Sequence, residues 1–127
     1  MANPAQTYAR NAQETGSLRE LEAQLLMRAA TKLQAVKDRT VTANTDIIAA
    51  VRYNRRLWIV FASALGKNEN PLPAEIKRNV ANLAAFVLNR SRTIETSLEP
   101  NPDRVSVLIN INRQLAAGLR NTTPAAA

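Results

Sequence analysis

A short segment of the chain, RYNRRLW at residues 52–58, holds the side chains best able to recognise another molecule. It contains three arginines, a tyrosine and the only tryptophan. The guanidinium group of arginine presents its N–H donors in a fork that matches carboxylates and phosphates. On a helix the three arginines project within about 100° of one another, and two isoleucines fall on the same side. The predicted binding face consists of Arg52, Arg55, Arg56, Ile48 and Ile59.

This mixed basic and apolar face has two interpretations. A binding surface combines planar charge with apolar area that a partner can bury. A solvated arginine face with scattered apolar residues is the alternative. Met27 and Leu88 are also expected to point away from their helix cores, and a contiguous patch of such side chains marks a partner site. They join the predicted partner-binding set if the fold brings them near the arginines.

The residues that carry most catalytic and metal chemistry are missing. The chain has no cysteine and no histidine, which argues against disulfides, zinc sites and histidine acid–base catalysis. No P-loop, dinucleotide-binding or zincin motif occurs. Glu20 and Glu22 are two residues apart and point to different sides of a helix. We therefore expect no enzyme activity, no metal and no cofactor.

The length and composition favour one helical domain. The chain has 127 residues, only 3 glycines and few aromatic residues, while alanine, leucine, arginine and asparagine are plentiful. Lysine and arginine number 17 against 10 acidic residues, a net charge of +7. This charge suggests an acidic partner, such as nucleic acid or an anionic protein surface. The dispersed positions of the basic residues favour the alternative, a solvated basic domain.

Hydrophobic periodicity predicts an all-α fold, a small helical bundle of about four amphipathic helices. A capping box from Ser17 to Glu20 is expected to start the first helix, and Gly66 to end the second. Asn101 and Pro102 are expected to start the fourth. The predicted helices span approximately 17–39, 44–65, 73–98 and 102–120. Residues 1–16 are interpreted as an N-terminal arm, 17–120 as a single domain and 121–127 as a disordered tail.

Each predicted helix has one side that is expected to face the core. On the first helix this side carries Leu18, Leu25, Ala29, Leu33 and Val36, flanked by Leu21 and Leu26. Along the second and fourth helices, the residues expected to build the core and set helix register are Asn54, Trp58, Phe61, Ile109, Asn112 and Leu119. The two asparagines fall in the middle of apolar stripes. They could form a polar pair that fixes register or awaits a partner, or each could be satisfied by nearby backbone, which we favour.

Four segments together resemble the FlaF family, flagellar biosynthesis regulatory proteins of alphaproteobacteria. They are SLRELEAQLLMRAATKL, RYNRRLW, NPLPAEIKRNVANLAAFV and LININRQLAAGLR, at residues 17–33, 52–58, 70–87 and 108–120. The resemblance covers about residues 8–120. The family-like positions are Tyr53, Asn54, Leu57, Trp58, Asn70, Pro71, Leu72, Pro73, Ile109, Asn112, Gly118 and Leu119.

The resemblance implies a small cytoplasmic helical protein needed for flagellin production and export. It suggests a secretion chaperone that binds flagellin by helix-on-helix capture. An adaptor of the translational regulator FlbT is an alternative with the same kind of surface. Direct binding of flagellin messenger RNA is a further alternative. The residues favour it less, because Trp58 projects to the core and aromatic residues are too few for a stacking platform.

The location and oligomeric state are also expectations. The first residues contain no apolar core of a secretory signal, and no apolar run approaches the roughly 18 residues of a membrane span. We expect a cytoplasmic protein without membrane contact. The apolar residues outside the predicted core leave open a homodimer.

Overall fold

The computed structural model describes the backbone of residues 4–65, 67, 72–97 and 101–121, and the side chains from residue 18 onward except Leu65. In this part of the chain four α-helices and one 3-10 helix make up the regular structure. The α-helices are α1 (Pro4–Lys37), α2 (Asn44–Leu65), α3 (Ala74–Glu95) and α4 (Ser106–Asn121), and the 3-10 helix η1 (Pro102–Val105) precedes α4. The predicted all-α bundle is confirmed.

The first helix begins earlier than the sequence predicted. α1 starts at Pro4 and passes Gly16 and Ser17 without a break, so the prediction of a helix start at Ser17 was wrong. Alanine, glutamine and arginine, which are good helix formers, recur among residues 5–15, and one internal glycine costs only about 1 kcal/mol. The carboxylate of Glu20 does not cap a helix; it binds a side chain of α4.

The buried side of α1 matches the predicted one only in part: Leu26, Ala29, Leu33 and Val36 are buried as expected. Leu18 and Leu21 are 47% and 52% exposed, and Leu25 is half-buried. Spacings of three and four residues connect the buried side chains Ala23, Leu26, Ala30 and Leu33, of which the prediction missed the two alanines. Two apolar stripes therefore run along this helix, and its neighbours cover only one of them.

The last turn of α1 is closed by an arginine in the left-handed region. Arg39 has φ 62°, and its N–H donates to the carbonyl of Val36 (3.1 Å) while the N–H of Thr40 donates to that of Ala35 (3.1 Å). These bonds form a Schellman motif, which satisfies carbonyls that the helix end would leave unpaired. The chain then turns back into α2 within a few residues.

The remaining helices begin near the capping and proline residues that the sequence predicted. α2 begins at Asn44, and Pro73 directly precedes α3, which stops at Glu95, a few residues before the predicted end. The side chain of Asn101 accepts the N–H of Asp103 (2.9 Å), so the predicted cap before the fourth helix is present. Because Pro102 and its neighbours form a 3-10 turn, α4 itself starts at Ser106. Several predicted features lie outside the described residues: Gly66, Asn70, Pro71, Leu98, Pro100 and the tail from 122 to 127.

The helices pack as two antiparallel pairs, α1 with α4 and α2 with α3, and α1 also packs on α2. At one end of the first pair Glu20 meets Arg120, and at the other end Arg39 meets Asp103 across 3.6 Å. The short α1–α2 connection makes those two helices antiparallel as well. Lys32 Nζ lies 5.0 Å from the centre of the Tyr53 ring, so these two residues mark where α1 and α2 lie side by side.

A chain of hydrogen bonds between side chains crosses the middle of the bundle. Trp58 Nε1 donates to Asn112 Oδ1 (2.9 Å), and Asn112 Nδ2 donates to Asn54 Oδ1 (2.6 Å) and to the backbone carbonyl of Leu26 (3.3 Å). The side chains of Trp58, Asn54 and Asn112 are fully buried. The asparagines are therefore bonded to each other. The preference for two asparagines satisfied separately by backbone was wrong, although Asn112 does reach one carbonyl.

Three further residues predicted for the core are buried around this chain of bonds: Phe61, Ile109 and Leu119. The ring of Phe61 meets that of Trp58 edge to face, with centroids 6.4 Å apart. Because the hydrogen bonds link α1, α2 and α4, they hold α2 at one rotation about its own axis. That rotation decides which residues of α2 face outward.

An exposed ion pair joins α1 to the end of α4. Arg120 donates from Nε to Glu20 Oε2 and from Nη2 to Glu20 Oε1, both at 3.1 Å. The hydrogen bonds from Arg120 lower the pKa of the Glu20 carboxyl below its ordinary value, and the same bonds raise the pKa of Arg120. A bidentate guanidinium–carboxylate pair sets an orientation as well as a contact.

Candidate protein-binding surface

The predicted arginine face lies at the seam between α2 and α3. Arg52 Nε is 2.9 Å from Glu95 Oε1, and Arg55 Nε is 3.2 Å from Glu95 Oε2. The Glu95 side chain is only 9% exposed. Two of the three arginines therefore pair with one nearly buried carboxylate of the same chain and join α2 to α3, and the cluster of three side chains keeps a net positive charge.

The other members of the predicted face remain more open. Arg56 is exposed, and none of the ion pairs found among the described side chains involves it. Ile59 is 45% exposed, and Ile48 is half-buried. The arginine face is therefore divided into an occupied part at Arg52 and Arg55 and an accessible part at Arg56 and Ile59.

The two apolar residues added to this face by prediction lie in different places. Leu88 is half-buried and sits seven residues before Glu95, so it lies on the side of α3 that faces α2. Met27 is half-buried against the core, seven residues after Glu20, on the α4 side of α1. The expectation that Met27 points away from the core was wrong. The fold brings Leu88 toward the α2 face and does not bring Met27 there.

A second apolar seam runs along the outside of α1 and α2. Lys32 on α1 meets Tyr53 on α2. Seven residues before Lys32 is Leu25, and seven residues after Tyr53 is Val60; a step of seven keeps the same side of a helix. Because α1 and α2 are antiparallel, the two steps go in the same direction along the bundle. Leu25 and Val60 therefore continue the line of the Lys32–Tyr53 contact.

Further exposed apolar side chains of α1 and α2 lie toward this end of the bundle, along this seam or, for Ile59, on the neighbouring side of α2 that carries Arg52. Val60 is 65% exposed and follows Ile59 directly, and Leu18 and Leu21 flank Leu25 on α1. We define the apolar outer surface by its four exposed members: Leu18, Leu21, Ile59 and Val60. Among the described side chains, every large apolar residue that is substantially exposed belongs to it, apart from Phe86. Exposed apolar side chains that cluster on one part of a surface are typical of a partner site.

The charges around the apolar outer surface are positive. Arg28 and Arg56 are exposed and take part in none of the ion pairs that join described residues, and Lys32 lies over the Tyr53 ring. The nearby carboxylates of Glu20 and Glu22 are engaged by Arg120 and Arg19. A partner with apolar residues on one side and acidic residues beside them would be complementary in both respects.

Sequence reasoning missed three residues of this surface: Leu18, Leu21 and Val60. Leu18 and Leu21 fit the helical period and were assigned to the core, and Val60 was not singled out. One sequence signal was available. Leu18, Leu21 and Leu25 form a short stripe with heptad-like spacing beside the stripe that begins at Ala23 and Leu26, and a helix with two apolar stripes has two faces to cover.

The described residues provide little for other kinds of site. They contain no group of three or more histidine, cysteine, aspartate or glutamate side chains placed to hold a metal ion. Within the same part of the chain, none of the helices combines the length and apolarity needed to cross a membrane.

Comparison with known proteins gives the family directly. The family model described as flagellar protein FlaF matches residues 4–119, nearly the whole chain. The chain belongs to the FlaF family. No curated protein and no solved structure matches it. The FlaF match begins at the residue where α1 begins and ends within α4, so the family pattern covers both helix pairs and the apolar outer surface.

Proposed function

We propose that this FlaF-family protein binds flagellin in the cytoplasm as a secretion chaperone, and that it binds without catalysing a reaction. The family membership supports a role in the flagellum. The family resemblance implies that the terminal segments of flagellin are amphipathic and disordered before assembly. A helical protein that covers the apolar stripe of such a segment would keep it from polymerising early.

The observation that carries this proposal is the apolar outer surface. Leu18, Leu21, Ile59 and Val60 are about half exposed or more, although a bundle of this size has a core in which to bury them. An amphipathic helix presents apolar residues at intervals of three and four. Laid against α1 and α2, it would bury these four side chains and complete a three-helix contact.

The surrounding charges define the partner more closely. Arg28 and Arg56 are exposed cations with no carboxylate partner among the described residues. Acidic residues beside the apolar stripe of the bound segment would pair with them and would favour one orientation. Pairs at the exposed rim add little affinity, so burial of the apolar side chains carries most of the binding.

Isothermal titration with purified monomeric flagellin tests the proposal. The double variant Leu21→Ser and Val60→Ser should bind at least tenfold more weakly, since removing two contact side chains costs more than 1.4 kcal/mol. Both side chains are exposed, so thermal stability should change little. The matched control is Ala117→Ser, an exposed position on α4, which should leave the affinity unchanged. Equal affinity of the double variant and the control would disprove this placement.

Salt dependence separates the proposal from the other functions. Capture of an apolar stripe should persist between 50 and 500 mM salt, whereas binding of RNA phosphates should weaken steeply. If the unmodified protein does not bind flagellin at either salt concentration, the chaperone function is wrong. Titration with FlbT then tests the adaptor function, and the double variant reports whether FlbT uses the same surface.

A further inference from the structure

A second, polar site lies on another part of the bundle. A cavity of about 300 Å³ separates α3 from η1, and its described lining residues are Phe86, Asn89, Arg90, Thr93 and Arg104. The four residues of α3 follow one another at intervals of three, one and three residues, so they occupy one side of that helix. α3 packs mainly on α2, and this side lies opposite the one that carries Glu95. The cavity therefore opens between elements that do not pack closely.

Two guanidinium groups converge on this cavity without an acidic partner in its described lining. Arg90 and Arg104 take part in none of the ion pairs between described residues. Asp103 is the nearest acid in the sequence to Arg104, and it faces Arg39 instead. Asn89 adds a side-chain amide and Thr93 a hydroxyl. The hydroxyl donates to the backbone carbonyl of Asn89.

The Phe86 ring positions one of the two guanidinium groups. Its side chain is 40% exposed, and Arg90 Cζ lies 5.4 Å from the ring centre. An arginine stacked on a ring keeps its N–H groups at the edge of the guanidinium plane, where they can bind a carboxylate with two parallel bonds. Because Arg90 covers one face of the ring, that face is not open to a nucleic-acid base.

We propose that the groove formed by Phe86, Asn89, Arg90, Thr93 and Arg104 binds carboxylate side chains of an acidic peptide segment. Two forked donors with amide and hydroxyl groups between them match two carboxylates better than they match a stacked base. The groove uses α3 and η1 rather than the outer side of α1 and α2. It is therefore a binding site separate from the apolar outer surface, and it does not depend on the flagellin proposal.

Titration of the full chain with a blocked hexaglutamate peptide, followed by ¹H–¹⁵N NMR, tests this site. We expect the peptide to shift the amide signals of Phe86, Asn89, Arg90, Thr93 and Arg104 in a saturable way. Arg90→Gln and Arg104→Gln should each weaken binding about tenfold, as loss of a charged bidentate contact predicts. Arg90→Lys keeps the charge and loses the fork, and it should also weaken binding.

Arg92→Gln is the matched control, because it removes the same charge from an exposed position of α3 outside the described lining of the cavity. It should leave the affinity for the peptide nearly unchanged. The proposal is overturned if Arg92→Gln weakens binding as much as Arg90→Gln, since net charge alone would then explain the binding. It is equally overturned if the peptide shifts none of the five signals, or if an oligothymidylate of equal charge binds the same residues more tightly.

Discussion

Polar contacts join the helices in two different settings, at the centre of the bundle and at its ends. At the centre, Asn112 bonds to Trp58, Asn54 and the Leu26 carbonyl, all within a fully buried region. At one end, Arg120 holds Glu20 with two hydrogen bonds of similar length in an exposed pair. The hydrogen-bond distances are similar in the two settings, but the central contacts are buried and the contact at the end is exposed to solvent.

The difference in burial determines what each contact contributes. A buried donor that loses its partner cannot bond to water and costs about 1–3 kcal/mol. An exposed ion pair that is broken is replaced by water at little cost. The central contacts therefore fix the rotation of α2 about its axis, and with it the outward position of Ile59 and Val60. The contact at the end of the bundle makes only a small contribution to stability.

The largest expected effect is at Asn112. Asn112→Leu keeps the number and branching of the side-chain heavy atoms and leaves Trp58 Nε1 and Asn54 Oδ1 buried without the partner they have here. We expect a loss of about 2–4 kcal/mol in the free energy of unfolding, measured by urea denaturation. Asn110→Leu, on the exposed side of α4, is the control and should change stability by less than about 0.5 kcal/mol. A similar loss in both variants would mean that burial does not separate the two settings.

A smaller effect is expected at Asn54. Its Oδ1 accepts one hydrogen bond, while its buried Nδ2 has no partner among the described residues. Asn54→Leu removes one good contact and one unsatisfied donor together, so the loss should be about 1 kcal/mol or less. In the double variant with Asn112→Leu, the combined loss should be smaller than the sum of the two. Additive losses would show that the two asparagines act independently.

An intermediate setting is tested at Glu95, which is nearly buried beside two partly exposed arginines. Glu95→Gln should lower the free energy of unfolding by about 1 kcal/mol. The loss should be smaller at high salt, because dissolved ions screen the attraction between the exposed Arg52 and Glu95. Arg56→Gln removes a nearby charge that has no carboxylate partner among the described residues, and its effect should be close to zero. A larger loss for Arg56→Gln than for Glu95→Gln would contradict the observed pairing.

The smallest effect, and the one most dependent on pH, is expected at Glu20. Its pKa is held below the ordinary value of 4.5 by the hydrogen bonds from Arg120. The stabilisation is therefore complete above about pH 4.5 and is lost as the pH falls through the lowered value. The stability difference between the unmodified protein and Glu20→Gln should be constant near neutral pH and shrink progressively as the pH falls below about 4.5. A difference that grows in acid would have the wrong sign for this pair.

The extent of correct prediction differs between α4 and α1. For α4, the proline and asparagine before the helix and its single apolar stripe allowed its position and its core residues to be predicted. For α1, periodicity selected Leu18 and Leu21 as core residues and missed Ala23 and Ala30, because small residues give a weak hydrophobic signal. Those alanines are buried in the bundle, where small side chains permit close approach of neighbouring helices.

The candidate surface was predicted only in part, for a related reason. The arginines of α2 were recognised from their spacing, but Glu95 lies 43 residues from Arg52 in the sequence. No local pattern indicates that a distant carboxylate occupies two of the three arginines. The sequence pointed to Ile59 and Leu88. Val60 could be recognised only from the antiparallel packing of α1 and α2, which places it on the line of the Lys32–Tyr53 contact.

The sequence alone determined the helical class, most helix boundaries and the set of residues that could be buried, because these follow from local propensity and the helical period. The family followed from the resemblance of four segments. The tertiary structure decided which of two apolar stripes on α1 is covered, which arginines keep their charge available, and how Asn54 and Asn112 are satisfied. Each of these outcomes depends on contacts between residues far apart in the chain. Their energies come from burial and pairing between helices, and a one-dimensional pattern does not contain that information.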